Sequence, residues 1–193
     1  MKVVPTFRPD ESGLNIGHLG VRIGQSMRYH ITWSTYGAWL PGDPRGFRTR
    51  HHRMHVDGDY RHPPPAGKYD ALHAWMRSNM PRPAVVLAPE LRCAAGEACV
   101  AQFAKEDVAL YVISVGGQHV HAAADCPADG LKQMIGRVKK VSSHAIRRAV
   151  PGAVWAQGCA LKVVRDEEHW RNVLQYVQDH ALEGAWVWKT QGL

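Results

Sequence analysis

His119-Val120-His121 sets two imidazoles two residues apart. In an extended chain such residues share one face, with Val120 turned to the other, so the pair can present two nitrogen ligands to one metal ion. The same face runs on through Ala123 and Asp125, and the small side chain beside the histidines leaves room for an ion and a substrate. Further along, Tyr176 and His180 are four residues apart, one helical turn, with Asn172 on the same face and Gln175 and Asp179 at its flanks. A tyrosine hydroxyl is a covalent nucleophile once deprotonated, although a phenol with a pKa near ~10 must be positioned and activated to act at neutral pH. Two ligands, a third ligand and a nucleophile are therefore available. Each also has an ordinary reading, as polar residues of a half-wet strand and a tyrosine resting on a sheet.

The elements that would carry these residues can be read along the chain. Met27 to Tyr36 alternates β-branched and aromatic residues and is stopped by Gly37 and Pro41-Gly42-Asp43-Pro44, which predicts a first strand. Residues 41–83 are rich in Pro, His and Arg, which predicts a long surface excursion with one short helix near Tyr69 to Met80. Pro89 to Ala104 reads as a helix with Leu91, Ala95, Ala98 and Gln102 on its buried stripe. Val108 to Val115, Gly116-Gly117 and Gln118 to Cys126 read as a hairpin whose glycines supply positive-φ turn positions. The apolar spacing of Leu131, Met134, Ile135, Val138, Val141, Ala145 and Ile146 predicts a helix to Ala149, followed by a strand over about Val154 to Val164. Asp166-Glu167-Glu168 then opens a last helix to about Leu182. The order predicts an α+β domain of the ferredoxin-like class, an antiparallel sheet with helices on one face plus the 41–83 insertion after the first strand. Residues 1–26 are expected to be an N-terminal arm, 27–185 the domain, and 186–193 a tail in which Trp186 and Trp188 form a short strand or an interface patch.

The 193 residues carry 24 Lys and Arg against 17 Asp and Glu, a net +7. That length fits one core, and the excess charge points to an anionic partner. No apolar run approaches the ~18 residues of a membrane span, and the amino terminus lacks an apolar signal region, so the expected compartment is the cytoplasm. Cys93, Cys99, Cys126 and Cys159 contain no C-x-x-C pair and are expected to be reduced thiols. Lys132, Arg137, Lys139, Lys140, Arg147 and Arg148 fall on one helix, while Arg45, Arg48, Arg50 and Arg53 with His51 and His52 cluster in the insertion. Both are candidate phosphate contacts or merely solvated charge. Trp33, Tyr36, Trp39 and Phe47 lie among the second set, a composition suited to stacking unpaired bases, although Trp33 fits the core better.

Taken in order, these passages resemble the HUH-type single-tyrosine transposases, including the REP-associated tyrosine transposases. Tyr29 to Gly46 resembles the opening strand and loop, and His119-Val120-His121 the His-hydrophobic-His signature. Lys132 to Arg148 is similar to the basic helix, Val154-Trp155-Ala156 to the next strand entry, and Tyr176-Val177-Gln178-Asp179-His180 to the tyrosine helix, so that the likeness spans about residues 27–183. The resemblance implies that Tyr176 attacks a phosphodiester of single-stranded DNA, leaving a 5′-phosphotyrosine and a free 3′-hydroxyl. It also implies that His119 and His121 hold a divalent ion, Mg²⁺ or Mn²⁺, and that the active form is a homodimer on DNA with hairpins. His180 stands where the family commonly has Gln as a third metal ligand. Three nitrogens would shift preference towards Mn²⁺, Co²⁺ or Zn²⁺. The competing readings are a catalytically silent DNA- or RNA-binding domain of the same descent, and a small metal hydrolase in which Tyr176 orients a phosphate.

Overall fold

The computed structural model describes residues 26–47 and 65–193. Five strands form one antiparallel sheet: β1 (Ser26–Ser34), β2 (Ala109–Val115), β3 (His119–Pro127), β4 (Ala160–Val163) and β5 (Trp186–Lys189). Four helices accompany them: α1 (Asp70–Ser78), α2 (Pro89–Lys105), α3 (Leu131–Ala145) and α4 (Glu167–Asp179). The strand order is β4-β1-β3-β2-β5, the ferredoxin-like β4-β1-β3-β2 arrangement with one strand added beyond β2. The class is thus the expected α+β fold with an antiparallel sheet.

One placement differs from expectation. The helices do not all share a face: α2 and α3 cover one side of the sheet, and α4 crosses the other. The reason lies in the middle of the sheet, where β2 and β3 present apolar side chains to both faces. Val120, Ala122, Ala124 and Cys126 join Ile31, Trp33, Phe103, Ile135 and Val138 in the main core, while Ala123 joins Val112, Val164, Trp170, Val173, Leu174 and Val177 in a second cluster under α4. The small side chain at Ala123, expected to leave room for substrate, instead makes room for α4. Burying each large apolar side chain contributes about 1.5–3 kcal/mol, so the second cluster is enough to seat a helix whose Asp166 N-cap accepts from His169 N at 2.7 Å.

Other boundaries shift for local reasons. The α2 stripe is Ala95, Gly96, Cys99 and Phe103, so Ala98 and Gln102 are not its buried members. In α3 Val141 is exposed, and Ser142 takes the buried position, accepting from Trp155 Nε1 at 3.0 Å and donating to Val138 O at 2.9 Å. The expected strand over 154–164 is reduced to β4 and an isolated bridge between Thr35 and Trp155. Between them Lys139 Nζ donates to Ala156 O at 2.7 Å and Gly158 O at 2.6 Å, removing those carbonyls from any ladder. Within residues 186–193, expected as a tail with a short strand or an interface patch at Trp186 and Trp188, the strand is β5 (Trp186–Lys189), which pairs with β2 and packs both indoles on the main core. Gly116 and Gly117 do not adopt positive φ. A Cβ at Gly116 would lie 3.3 Å from His119 Nε2, so the glycine gives the imidazole space rather than turning the chain.

Of the insertion, 41–47 and 65–83 are described. The expected short helix is α1, with no buried residue. The loop after β1 folds against it: Gly42 has φ +86°, and a Cβ there would meet His73 N at 2.5 Å, so glycine is required for both reasons. The four cysteines are free thiols, Cys99 and Cys126 buried and Cys93 and Cys159 half-buried. Among the described residues no helix is long and apolar enough to cross a membrane.

Candidate metal and tyrosine site

The register of β1 against β3 sets Arg28 opposite Asp125, His30 opposite Ala123, Thr32 opposite His121 and Ser34 opposite His119. All eight therefore share the face that α4 crosses. His180 sits where α4 ends and a single 3₁₀ turn (His180–Glu183) begins. This junction carries its ring to the paired histidines of β3. The ligand nitrogens of His119, His121 and His180 lie within 4.8 Å of one another, and the three rings are 4.6–5.1 Å apart by centroid. Tyr176, one turn earlier, places its ring 4.7 Å from His180, 5.3 Å from His121 and 5.8 Å from His30, while remaining 47% exposed. The four residues singled out from spacing are thus brought together within one chain.

A further ring supports them. His30 Nε2 lies 3.0 Å from His121 Nδ1, the rings stacked at 26°. One nitrogen must donate and the other accept, which engages Nδ1 of His121 and leaves its Nε2 for a ligand. His180 is disposed the same way: Nδ1 faces the Glu183 carboxylate at 3.5 Å, and Nε2 is buried with no hydrogen-bond partner. A buried nitrogen without a partner costs about 1–3 kcal/mol. This nitrogen and the two other imidazoles could hold a metal ion, and the donor set fits a divalent ion with a taste for nitrogen.

Electrostatics favour the ligating form. Burial, reinforced by the charge of His180, pushes His121 down to about 2 and lowers His119. Burial, with Lys162 beside it, pushes His30 to about 4. Neutral imidazole binds metal, so no proton must be displaced from these rings near neutral pH.

A cleft of about 630 Å³ contains the histidines and is lined also by Tyr176, Glu183, Trp39, Leu40, Arg45 and Phe47. Thr32 and Ser34 line it as well. Arg45, a candidate phosphate contact, borders this cleft, yet its guanidinium is engaged: Nε donates to Asp43 Oδ1 at 2.9 Å, and Nη2 to Asp43 Oδ2 and Ala38 O, each at 2.7 Å. Arg48 lies outside the described residues.

The basic helix α3 lies behind the sheet, on the face away from the histidines. Arg137 is spent on Glu106 of α2, Nε donating at 2.8 Å and Nη2 at 2.5 Å, which holds that carboxyl down at about 2. Lys139 is tied to the carbonyls before β4, and Arg147 Nη1 contacts the His144 ring at 2.8 Å. Lys132 and Lys140 have no hydrogen-bond or ion-pair partner among the described residues. Sequence reasoning missed Lys162, which sits opposite His30 on β4, and left His30 between a place beside the metal site and a cap on the sheet edge; its contact with His121 puts it at the site. The signal for His30 was present: Arg28, His30, Thr32 and Ser34 alternate with Tyr29, Ile31 and Trp33, the pattern of a strand with one polar face.

No family model matches the chain, and no curated protein does. It is similar to the solved structure of a REP-associated tyrosine transposase bound to a REP hairpin, at 12% identity over 84% of this chain and 70% of that one, with a TM-score of 0.46.

Proposed function

We propose that the chain is a metal-dependent, transposase-like enzyme that opens single-stranded DNA through a covalent bond to Tyr176. The observation that carries this reading is the packing of Tyr176 against His121 and His180, which puts a phenol beside a cluster of three imidazole nitrogens. A divalent ion held by His119, His121 and His180 would supply Lewis acidity at a phosphate oxygen. Mg²⁺ and Mn²⁺ are the ions implied by the resemblance, and three nitrogens favour Mn²⁺.

The chain's own residues define the rest. Tyr176 Oη forms a bond to phosphorus as the bond from phosphorus to the 3′-oxygen breaks; the phenol proton leaves and the 3′-oxygen takes one up, so the strand ends as a 5′-phosphotyrosine and a 3′-hydroxyl. The reverse attack by that hydroxyl reseals the strand. His30 and His121, pushed to about 4 and about 2, are poor proton acceptors. Their work is to ligate and to orient, and the phenol proton passes to solvent, to which Tyr176 is 47% exposed. Phosphate contacts away from the cleft fall to Lys132 and Lys140, with Arg137, Lys139, Arg147 and Arg45 mainly bracing the fold around the strand and Arg48 a further candidate. The same reading includes a homodimer, which sedimentation of the purified chain tests.

The deciding experiment incubates the protein with end-labelled single-stranded DNA containing hairpins, with Mn²⁺ or Mg²⁺, and resolves covalent adducts on a denaturing gel. An adduct is expected for the wild type and none for Tyr176→Phe. Binding without an adduct under either metal favours a silent nucleic-acid-binding domain, the reading that His180 in the usual place of Gln keeps open.

A further inference from the structure

The loop after β1 carries a side chain that the fold alone does not call for. Trp39 is 49% exposed, an unusual position for an indole in a loop otherwise packed down by Ala38, Asp43 and Phe47, all buried. Its ring is backed by a fixed cation, with the Arg45 guanidinium carbon 4.1 Å from the ring centroid. Arg45 cannot wander, because Asp43, only 3% exposed, takes donations from its Nε at 2.9 Å, its Nη2 at 2.7 Å and its backbone N at 2.9 Å. Ala38 O accepts a further bond from Nη2 at 2.7 Å. The carboxylate is itself held below its usual range by those bonds, against the opposing effect of burial. An ion pair between the buried Asp43 and the half-exposed Arg45 thus holds one exposed indole at the rim of the cleft shared with His119, His121, His180 and Tyr176.

We propose that Trp39, braced by Arg45 and Asp43, is the stacking platform for one unpaired nucleobase of the single strand whose scissile phosphate lies at the histidines. This deepens the function proposed above and rests on it. The chemistry matches: an indole face stacks on any base, a cation fixed behind the ring pre-orders it, and the cleft of about 630 Å³ is of the size that takes a nucleotide. The site therefore grips a strand without reading its sequence, and it takes only bases that are out of a duplex. Of its neighbours in composition, Trp33 is 3% exposed and belongs to the main core, and Phe47 is 9% exposed and packed edge-on to Tyr69. Trp39 is a binding residue at the cleft rim, not a ligand or a nucleophile.

The test measures binding of fluorescently labelled single-stranded oligodeoxynucleotides to the full chain by anisotropy, in chelator and in Mn²⁺, with one abasic position moved along the strand. Wild type, Trp39→Ala and Trp39→Phe are compared after thermal melts establish that each is folded. Stacking of one base predicts a loss of about 5- to 150-fold for Trp39→Ala and a small loss for Trp39→Phe. It also predicts one abasic position that weakens wild type to the same degree and leaves Trp39→Ala unchanged. Equal affinity of Trp39→Ala and wild type, or an abasic penalty identical in both, overturns the proposal. An adduct at Tyr176 with no role for Trp39 leaves the proposed function standing and removes the platform. A Trp39-dependent abasic penalty without any adduct keeps the platform and removes the chemistry. Wild type that binds no single strand at all overturns both.

Discussion

Replacing His180 by Leu should move stability in opposite directions with and without metal. In the metal-free protein the substitution removes a buried Nε2 that has no hydrogen-bond partner, which relieves about 1–3 kcal/mol. It also removes the 3.5 Å approach of Nδ1 to Glu183, whose side chain is 69% exposed, so that loss is at most about 1 kcal/mol. The net is a gain of up to about 3 kcal/mol, and a domain of this size changes Tm by roughly 2–4 °C per kcal/mol, giving a rise of up to about 12 °C. In the wild type, metal at a hundred times its Kd adds about 2.7 kcal/mol, or roughly 5–11 °C. With one ligand of three gone, the same metal concentration should shift the variant by less than about 2 °C. The assay is a thermal melt of chelated protein with and without Mn²⁺. A variant that melts lower than wild type without metal, and gains as much from Mn²⁺, would show that His180 is a packed core histidine and that the ligand set is wrong.

Three further outcomes are expected. Ala123→Leu adds bulk beneath α4, where Ala123 is fully buried; overpacking of this kind costs about 1–3 kcal/mol, and Mn²⁺ affinity should fall although residue 123 is no ligand, with an unchanged titration counting against the seating of α4 described above. His30 is pushed from 6.5 to about 4 in the fold, so below 6.5 the unfolded chain binds the proton first: metal-free stability should be flat above pH 6.5 and fall as pH drops towards 4, by at most about 3 kcal/mol from this ring, and a urea midpoint equal at pH 7 and pH 4.5 would contradict the burial of the histidine cluster. Gly96→Ala would gain about 1 kcal/mol of helix propensity, but the new Cβ overlaps Cε3 and Cζ3 of Trp186; net destabilisation is expected, and the double variant with Trp186→Ala should be less destabilised than the sum of the two single changes.

The sequence displays what repeats along it and hides what depends on which surfaces meet. β1, β2, β3 and the starts of α2, α3 and α4 follow from alternation, from the spacing of apolar residues, from Pro89 at the first turn and from Asp166 at an N-cap. β4 and β5 have four residues each, too few to fix their bounds: the strand expected over 154–164 is far longer than β4, and the alternation of Trp186 and Trp188 left a strand or an interface patch open until packing on the main core decides for β5. The acidic first turn of α4 and its Tyr176–His180 face were legible, but not the face of the sheet that receives the helix, since β3 offers Ala122 and Ala124 on one side and Ala123 on the other. The spacings within His119-Val120-His121 and from Tyr176 to His180 show that each pair shares a face; that the two faces meet depends on α4 crossing β3. His30 joins them only through the strand register, which no local pattern contains. The basic helix shows the converse limit: its charge was plain, while its place behind the sheet and its engagement with Glu106 and the carbonyls of Ala156 and Gly158 come from packing.

The two apolar clusters are separate and unequal, seven buried residues under α4 against twenty-three in the main core among the described residues. Free energies of local opening follow the apolar surface that each unit would expose. The arm bearing Tyr176 and His180 is therefore the weaker cooperative unit, able to lift from the sheet while β1, β2, β3, α2 and α3 stay closed. Its amide hydrogens should exchange well ahead of those in β3, and an ion bridging His180 to His119 and His121 would act as the latch that slows them.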